Sequence, residues 1–215
     1  MERHSRCLNG RDHSFCHQDA MSTPRDTNVS IGRRLDIALA VIFAGLTFVF
    51  ILSLVFHQPF FDFAWARHQN LLSWYIRPLL SLPFCYFAYR RSFGGMFFSI
   101  FAIATSMMWF PEPSVPSEAA KEFLRMEVEY VSGGWTPLKL LAACLVPLFF
   151  VSLGTAFWRR KPMYGFLVLL VFGIAKMVWS VAEGSTSGYA VFPAAILGIV
   201  VLGTAIAVSS KKRWL

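Results

Sequence analysis

Six long apolar runs, separated by short charged clusters, constrain this chain more than any other feature of its sequence. Each run approaches the length of about 20 residues that a helix needs to cross a hydrocarbon core of about 30 Å. The runs cover residues 35–56, 71–89, 93–110, 136–158, 163–182 and 188–209. The sequence therefore predicts an all-α membrane protein, built as a bundle of six transmembrane helices.

The composition supports a membrane protein. Hydrophobic residues make up 56% of the chain and charged residues only 15%, whereas a soluble domain carries far more charge. The net charge of +8 would suggest a nucleic-acid partner in a soluble protein. In membrane proteins, however, basic residues collect in cytoplasmic loops. We therefore expect a lipid bilayer around the chain and no nucleic acid.

The basic clusters predict the orientation of the chain. If all six runs span the membrane, the clusters at 33–34, 90–91, 159–161 and 211–213 all fall on the same side. The positive-inside rule places that side in the cytoplasm, and both termini with it. We expect the protein to be integral to the plasma membrane, of the bacterial inner-membrane type.

Three segments follow from this topology: a polar basic cytoplasmic tail at 1–34, a six-span domain at 35–209 and a basic cytoplasmic end at 210–215. Met21 opens a stretch that is typical of a short cytoplasmic leader, which leaves open that residues 1–20 lie upstream of the true start. The Cys and His residues of the tail match no standard ligand spacing. We assign no metal and no cofactor.

Segment 111–135, between the third and fourth runs, predicts an external amphipathic helix. Prolines within 111–116 prevent a continued helix, Ser117 is the predicted N-cap, and Gly133 ends the helix. Glu127 falls at the centre of its apolar face. We expect this carboxylate to point inward and to find a cation, unless it bends into water from a poorly ordered loop.

Lys176 lies inside the fifth apolar run, about 9 Å below its outer end. Arg77 lies at a similar depth in the second run, and Lys139 lies near the start of the fourth. Glu127 and Glu183 are acidic residues on the same predicted side of the membrane. These five residues are our candidates for ligand or ion binding.

Arg77 belongs to a polar stripe that includes Asn70, Ser73 and Ser81 at helical spacing. Such a stripe faces protein or water rather than lipid. We interpret the candidates as lining an outward-facing polar cavity capped by helix 117–131. The alternatives are that Arg77 and Lys176 snorkel to the interface, or form ion pairs that only specify packing.

The first outer loop contains His57, Asp62 and His68. Their spacing matches no standard metal site. We expect them to be surface residues beside an aromatic belt.

Three classes of function are compatible with the sequence, which contains none of the common catalytic motifs. We rank first a small transporter or permease with an outward-facing charged cavity for a small molecule or ion. The second class is an integral-membrane enzyme acting on a lipid or envelope substrate, with Glu127 or Glu183 as the acid or base beside Arg77. The third is a non-catalytic accessory or assembly protein that binds a membrane-protein partner through helix 117–131. No catalytic residue is assigned.

Overall fold

The computed structural model describes residues 24–211, and that part of the chain forms eight α-helices and no strand. The helices are α1 Pro24–Phe56, α2 Gln58–His68, α3 Leu72–Arg90, α4 Phe93–Thr105, α5 Glu118–Ser132, α6 Pro137–Trp158, α7 Pro162–Gly184 and α8 Phe192–Lys211. Two 3₁₀ segments, Ser106–Met108 and Ser185–Val191, precede the α4–α5 connection and α8. Most of the predicted tail and the last residues of the predicted basic end lie outside the described residues.

Within residues 24–211, four helical segments are long and apolar enough to cross a membrane: Gly32–Phe56, Pro137–Trp158, Pro162–Gly184 and Thr186–Val208. Many of their large apolar side chains are exposed, among them Val41, Leu138 and Val178. Exposed apolar surface of this kind matches a hydrocarbon environment. The described part of the chain is thus all-helical, with four helices capable of spanning a membrane.

The second and third predicted spans differ from these four. Helix α4 has 13 residues, a length of about 20 Å. Helix α3 has 19 residues but carries Arg77 in its interior. It contacts α4, α6 and α8, and its Phe84 and Ala88 are fully buried. Helix α3 therefore faces protein over much of its surface, which explains why its sequence is less apolar.

Helix α2 lies where the sequence analysis placed an outer loop. The side chain of His57 caps this helix by accepting a hydrogen bond of 3.1 Å from the backbone N–H of Phe60. At the other end of the helix, His68 is only 4% exposed. The expectation that His68 is a surface residue is therefore wrong.

One end of the bundle brings three of the basic clusters together. The carboxylate of Asp36, next to the 33–34 cluster, accepts hydrogen bonds from the backbone N–H groups of Phe93 (2.9 Å) and Gly94 (3.1 Å). The guanidinium of Arg160 lies 5.4 Å from the ring centroid of Tyr89. Residues on α1, the α3–α4 turn and the α6–α7 turn therefore meet at this end.

Helix α5 contacts α7 and the Ser185–Val191 segment, and its apolar face is covered. Ala120, Phe123 and Leu124 are at most 2% exposed and form one core cluster with Trp74 of α3 and Ala194 of α8. The predicted amphipathic helix and its division into faces are confirmed. Ser117 is its N-cap residue but makes no side-chain capping hydrogen bond.

Candidate functional site beneath α5

An ion pair joins α5 to α7. The Nζ atom of Lys176 lies 3.0 Å from Oε1 of Glu127, with the two side chains 45% and 22% exposed. Glu127 follows Phe123 by one helical turn, so it shares the face that packs inward. The structure thus pairs Glu127 with a cation, as its place on the apolar face predicts.

Aromatic rings hold the ammonium group of Lys176 as well. Its Nζ lies 4.2 Å from the ring centroid of Trp179 and 5.4 Å from that of Phe123. Cation–π contacts at such distances are worth about 0.5–2 kcal/mol, depending on solvation. Lys176 is therefore fixed by one carboxylate and two rings while still reaching the surface.

Lys139 anchors the C-terminal end of α5. Its Nζ donates a hydrogen bond to the backbone carbonyl of Tyr130 and lies 4.7 Å from the centroid of the Tyr130 ring. A cation at this position satisfies a last-turn carbonyl and opposes the negative end of the helix dipole. Lys139 therefore stabilises the position of α5 and does not share the Glu127 carboxylate.

Arg77 occupies the inner part of the site. Ser73 and Ser81, its neighbours on the polar stripe, are buried, so this part of the stripe faces protein rather than lipid. The Nε atom of Arg77 is buried, and no described residue accepts a hydrogen bond from it. The negative charge of Glu127 acts on this guanidinium. Arg77 is thus an enclosed cation without a direct partner at Nε.

His68 belongs to the site, although the sequence analysis missed it. Its Nδ1 lies 2.9 Å from Oγ of Ser73, and its backbone carbonyl accepts a hydrogen bond of 2.9 Å from Nε1 of Trp74. Burial, reinforced by the positive charges of Arg77 and Lys176, lowers the pKa of His68 from 6.5 to about 3. The imidazole is therefore neutral near pH 7.

The sequence contains one local indication that the chain turns back after His68. Asn70 starts a turn in which its Oδ1 accepts a hydrogen bond of 3.1 Å from the backbone N–H of Leu72. Asn is a common turn former for this reason. The turn reverses the chain between α2 and α3 and lets His68 reach Ser73.

Glu183 is exposed, and among the described residues it has no ion-pair partner. Ser180, one turn before it, is buried and donates a hydrogen bond to the backbone carbonyl of Lys176. The structure therefore brings Arg77, Glu127 and Lys176 together with His68. It places Lys139 at the edge of the site and leaves Glu183 on the surface.

The site combines two cations, one carboxylate, a neutral imidazole and several aromatic rings. Such a set can bind a charged small molecule by hydrogen bonds and electrostatics. The described residues contain no group of three or more side chains suited to a metal ion. No family model matches the chain, and comparisons with curated proteins and with solved structures find no similar protein.

Proposed function

We propose that the chain is a six-span transporter or permease of the plasma membrane, with both termini in the cytoplasm and α5 covering its outer end. The six-span count adds α3 and α4 to the four apolar helices. Helix α4 packs against both α1 and α3, and α3 contacts three helices of the bundle. The meeting of three basic clusters at one end supports a cytoplasmic location for that end.

The observation that carries the transport function is the enclosed guanidinium of Arg77 beneath a helix held by an ion pair. Ionised side chains inside a membrane bundle are costly and commonly mark a substrate or ion pathway. The Glu127–Lys176 pair above it is partly exposed. Separating such a pair costs little net free energy when both charges move into water. The pair can therefore break and reform, so that α5 acts as a lid over Arg77.

The two other classes of function fit the geometry less well. An enzyme that used Glu127 as acid or base would first have to release that carboxylate from Lys176, and Glu183 lies on the surface. A partner that docked on α5 could not use its apolar face, which the bundle already covers. It would have to recognise the charged face, where Lys121 pairs with Glu118 at 3.1 Å.

Locking the lid tests transport. The variant Glu127→Cys/Lys176→Cys, with Cys7, Cys16 and Cys144 replaced by Ser, is reconstituted into liposomes and treated with a short bifunctional methanethiosulfonate. Uptake of radiolabelled acetate, lactate, phosphate and lysine is measured. We expect uptake of at least one solute above that of protein-free liposomes, loss of this uptake on cross-linking and recovery with a reductant.

The matched control is Lys121→Cys/Arg125→Cys, which places both thiols on the solvent face of α5. Cross-linking within this one helix leaves the lid free, so uptake is expected to stay unchanged. Transport is refuted if none of the four solutes exceeds the protein-free level. Undiminished uptake by the cross-linked lid variant would refute the role of α5.

A further inference from the structure

Two buried N–H donors near His68 lack an acceptor among the described residues: Nε1 of Trp65 and Nε of Arg77. The Trp65 and His68 ring centroids are 5.8 Å apart. Arg77 lies one helical turn after Ser73 in α3, and Oγ of Ser73 is 2.9 Å from Nδ1 of the same imidazole. Buried donors in folded proteins nearly always have a partner. Two unpartnered donors beside one residue indicate that an acceptor binds there.

The charges indicate that this acceptor is negative. Arg77 and Lys176 contribute two positive charges, while Glu127 contributes one negative charge and is hydrogen-bonded to Lys176. The imidazole of His68 is neutral because its pKa is about 3. Among these four groups, one positive charge is therefore not compensated. A water molecule could accept the two hydrogen bonds but would leave this charge unbalanced.

The chemistry of the donors favours an oxyanion. A guanidinium presents planar N–H groups that match the oxygens of a carboxylate or phosphate, and such bonds are stronger than those between neutral groups. An indole contributes a single N–H and no acceptor. The rings of Trp65, Trp74 and Phe123 belong to the apolar surroundings, which limits the part of the ligand that reaches the donors to a small group.

We propose that a carboxylate or phosphate group binds between the indole N–H of Trp65 and the guanidinium of Arg77. The conclusion that the transported solute carries such a group rests on the proposed transport function. Binding of the group to this site can be measured without a transport assay. The group could belong to a free solute or to a lipid headgroup of the outer leaflet, and the experiment separates these two sources.

The test uses the purified full-length chain in detergent. Sodium acetate or sodium phosphate is titrated at constant ionic strength, which is maintained with the bulkier gluconate. The thermal midpoint and the tryptophan fluorescence are recorded. We expect a saturable rise of the midpoint with at least one of the two anions. Trp65→Phe, which keeps an aromatic ring but removes the N–H, should weaken apparent binding by about ten-fold or more.

Arg77→Met should abolish the rise of the thermal midpoint, because it removes the positive charge and the N–H donors of the guanidinium. Lys121→Met, on the solvent face of α5, should respond as the wild type does. Should Arg77→Met fail to fold, Trp65→Phe and Arg77→Lys still test the site, and Arg77→Lys should bind more weakly than the wild type. A parallel series in nanodiscs compares phosphatidylglycerol with phosphatidylcholine.

A midpoint rise with phosphatidylglycerol alone, lost in Trp65→Phe, would support the site with a headgroup as the source of the oxyanion. The site is refuted if neither the free anions nor phosphatidylglycerol gives a saturable response, or if Trp65→Phe responds like the wild type. Binding without uptake by liposomes would refute transport and leave the site. Uptake that is unchanged in Trp65→Phe and Arg77→Lys would refute the site as the binding place of the transported solute and leave transport.

Discussion

Glu127 and Lys176 lie 3.0 Å apart although 49 residues separate them in the chain. The pair connects the middle of α5 to α7, a helix long and apolar enough to cross a membrane. Together with the contact between Lys139 and the Tyr130 carbonyl, it fixes how α5 lies over the end of the bundle. The stability of this arrangement can be tested one side chain at a time.

Glu127→Gln should destabilise the protein more than Glu122→Gln. The first change leaves Lys176 without its carboxylate and removes the negative charge that faces Arg77. The second lies on the exposed face of the same helix. Since the pair is partly exposed, we expect a loss of about 1–3 kcal/mol for Glu127→Gln and about 0–0.5 kcal/mol for Glu122→Gln. Thermal unfolding in detergent measures both.

Adding Lys176→Met to Glu127→Gln should restore part of the lost stability, because the stranded charge is removed with its partner. Equal and small effects of the two glutamine variants would contradict the pairing. They would leave Lys176 as a residue that snorkels to the interface.

The contact between α1 and α4 predicts a second effect. A Cβ atom at Gly94 would lie 2.9 Å from the backbone carbonyl oxygen of Asp36 and 3.0 Å from Cβ of Leu39. Gly94→Ala must therefore push the helices apart, at a cost of about 1–3 kcal/mol. Gly45→Ala in α1 meets nothing within 4 Å and should be neutral or slightly stabilising, as the matched control.

Asp36→Asn should cost about 1–2 kcal/mol, because an amide accepts fewer of the hydrogen bonds at the start of α4 and no longer opposes the helix dipole with a charge. Thermal midpoints of all three variants are compared in the same detergent. A Gly94→Ala midpoint equal to that of Gly45→Ala would show that α1 and α4 are not in close contact.

The burial of neutral His68 predicts a dependence of stability on pH. Its pKa is lowered on folding from 6.5 to about 3, so the folded state binds fewer protons than the unfolded state between these values. The stabilisation is complete above pH 6.5 and is lost towards pH 3, at about 1.4 kcal/mol per pH unit. His68→Gln should flatten the decline of the thermal midpoint below pH 6.5.

The control for this experiment is His57→Asn, which removes a titrating imidazole but keeps a side chain able to cap α2. It should retain the steep decline of the wild type. If the thermal midpoints of the wild type and of His68→Gln decline in parallel below pH 6.5, a group other than His68 governs the acid sensitivity.

Reporter fusions distinguish six spans from four. Fusions after Arg91, Lys161 and Lys212 should report the cytoplasm, and fusions near Glu118 and Ser185 the outside. The Arg91 fusion is decisive: if α3 and α4 did not cross the membrane, it would report the outside, while the other four fusions would read the same. The bonds from Phe93 and Gly94 to Asp36 place Arg91 close to the start of the apolar part of α1, Gly32–Phe56, where the basic residues Arg33 and Arg34 favour the cytoplasm. An inside signal near Glu118 would overturn both topologies.

Local patterns in the sequence determined a large part of this fold. The start of the fourth apolar run at residue 136 is within one residue of the start of α6, and the run ends where α6 ends, at Trp158. The helical period also predicted the amphipathic α5 and the inward position of Glu127. These features depend on hydropathy and on the 3.6-residue repeat, which act over a few neighbouring residues.

Tertiary structure alone decided which distant groups meet. It paired Glu127 with Lys176 rather than Arg77, left Glu183 on the surface, and buried His68 against Ser73 at the end of an unforeseen helix. It also placed the carboxylate of Asp36 at the start of α4. Each of these contacts depends on the relative position of two helices, and helix packing depends on side-chain shapes on both surfaces, which hydropathy and periodicity within one segment do not encode.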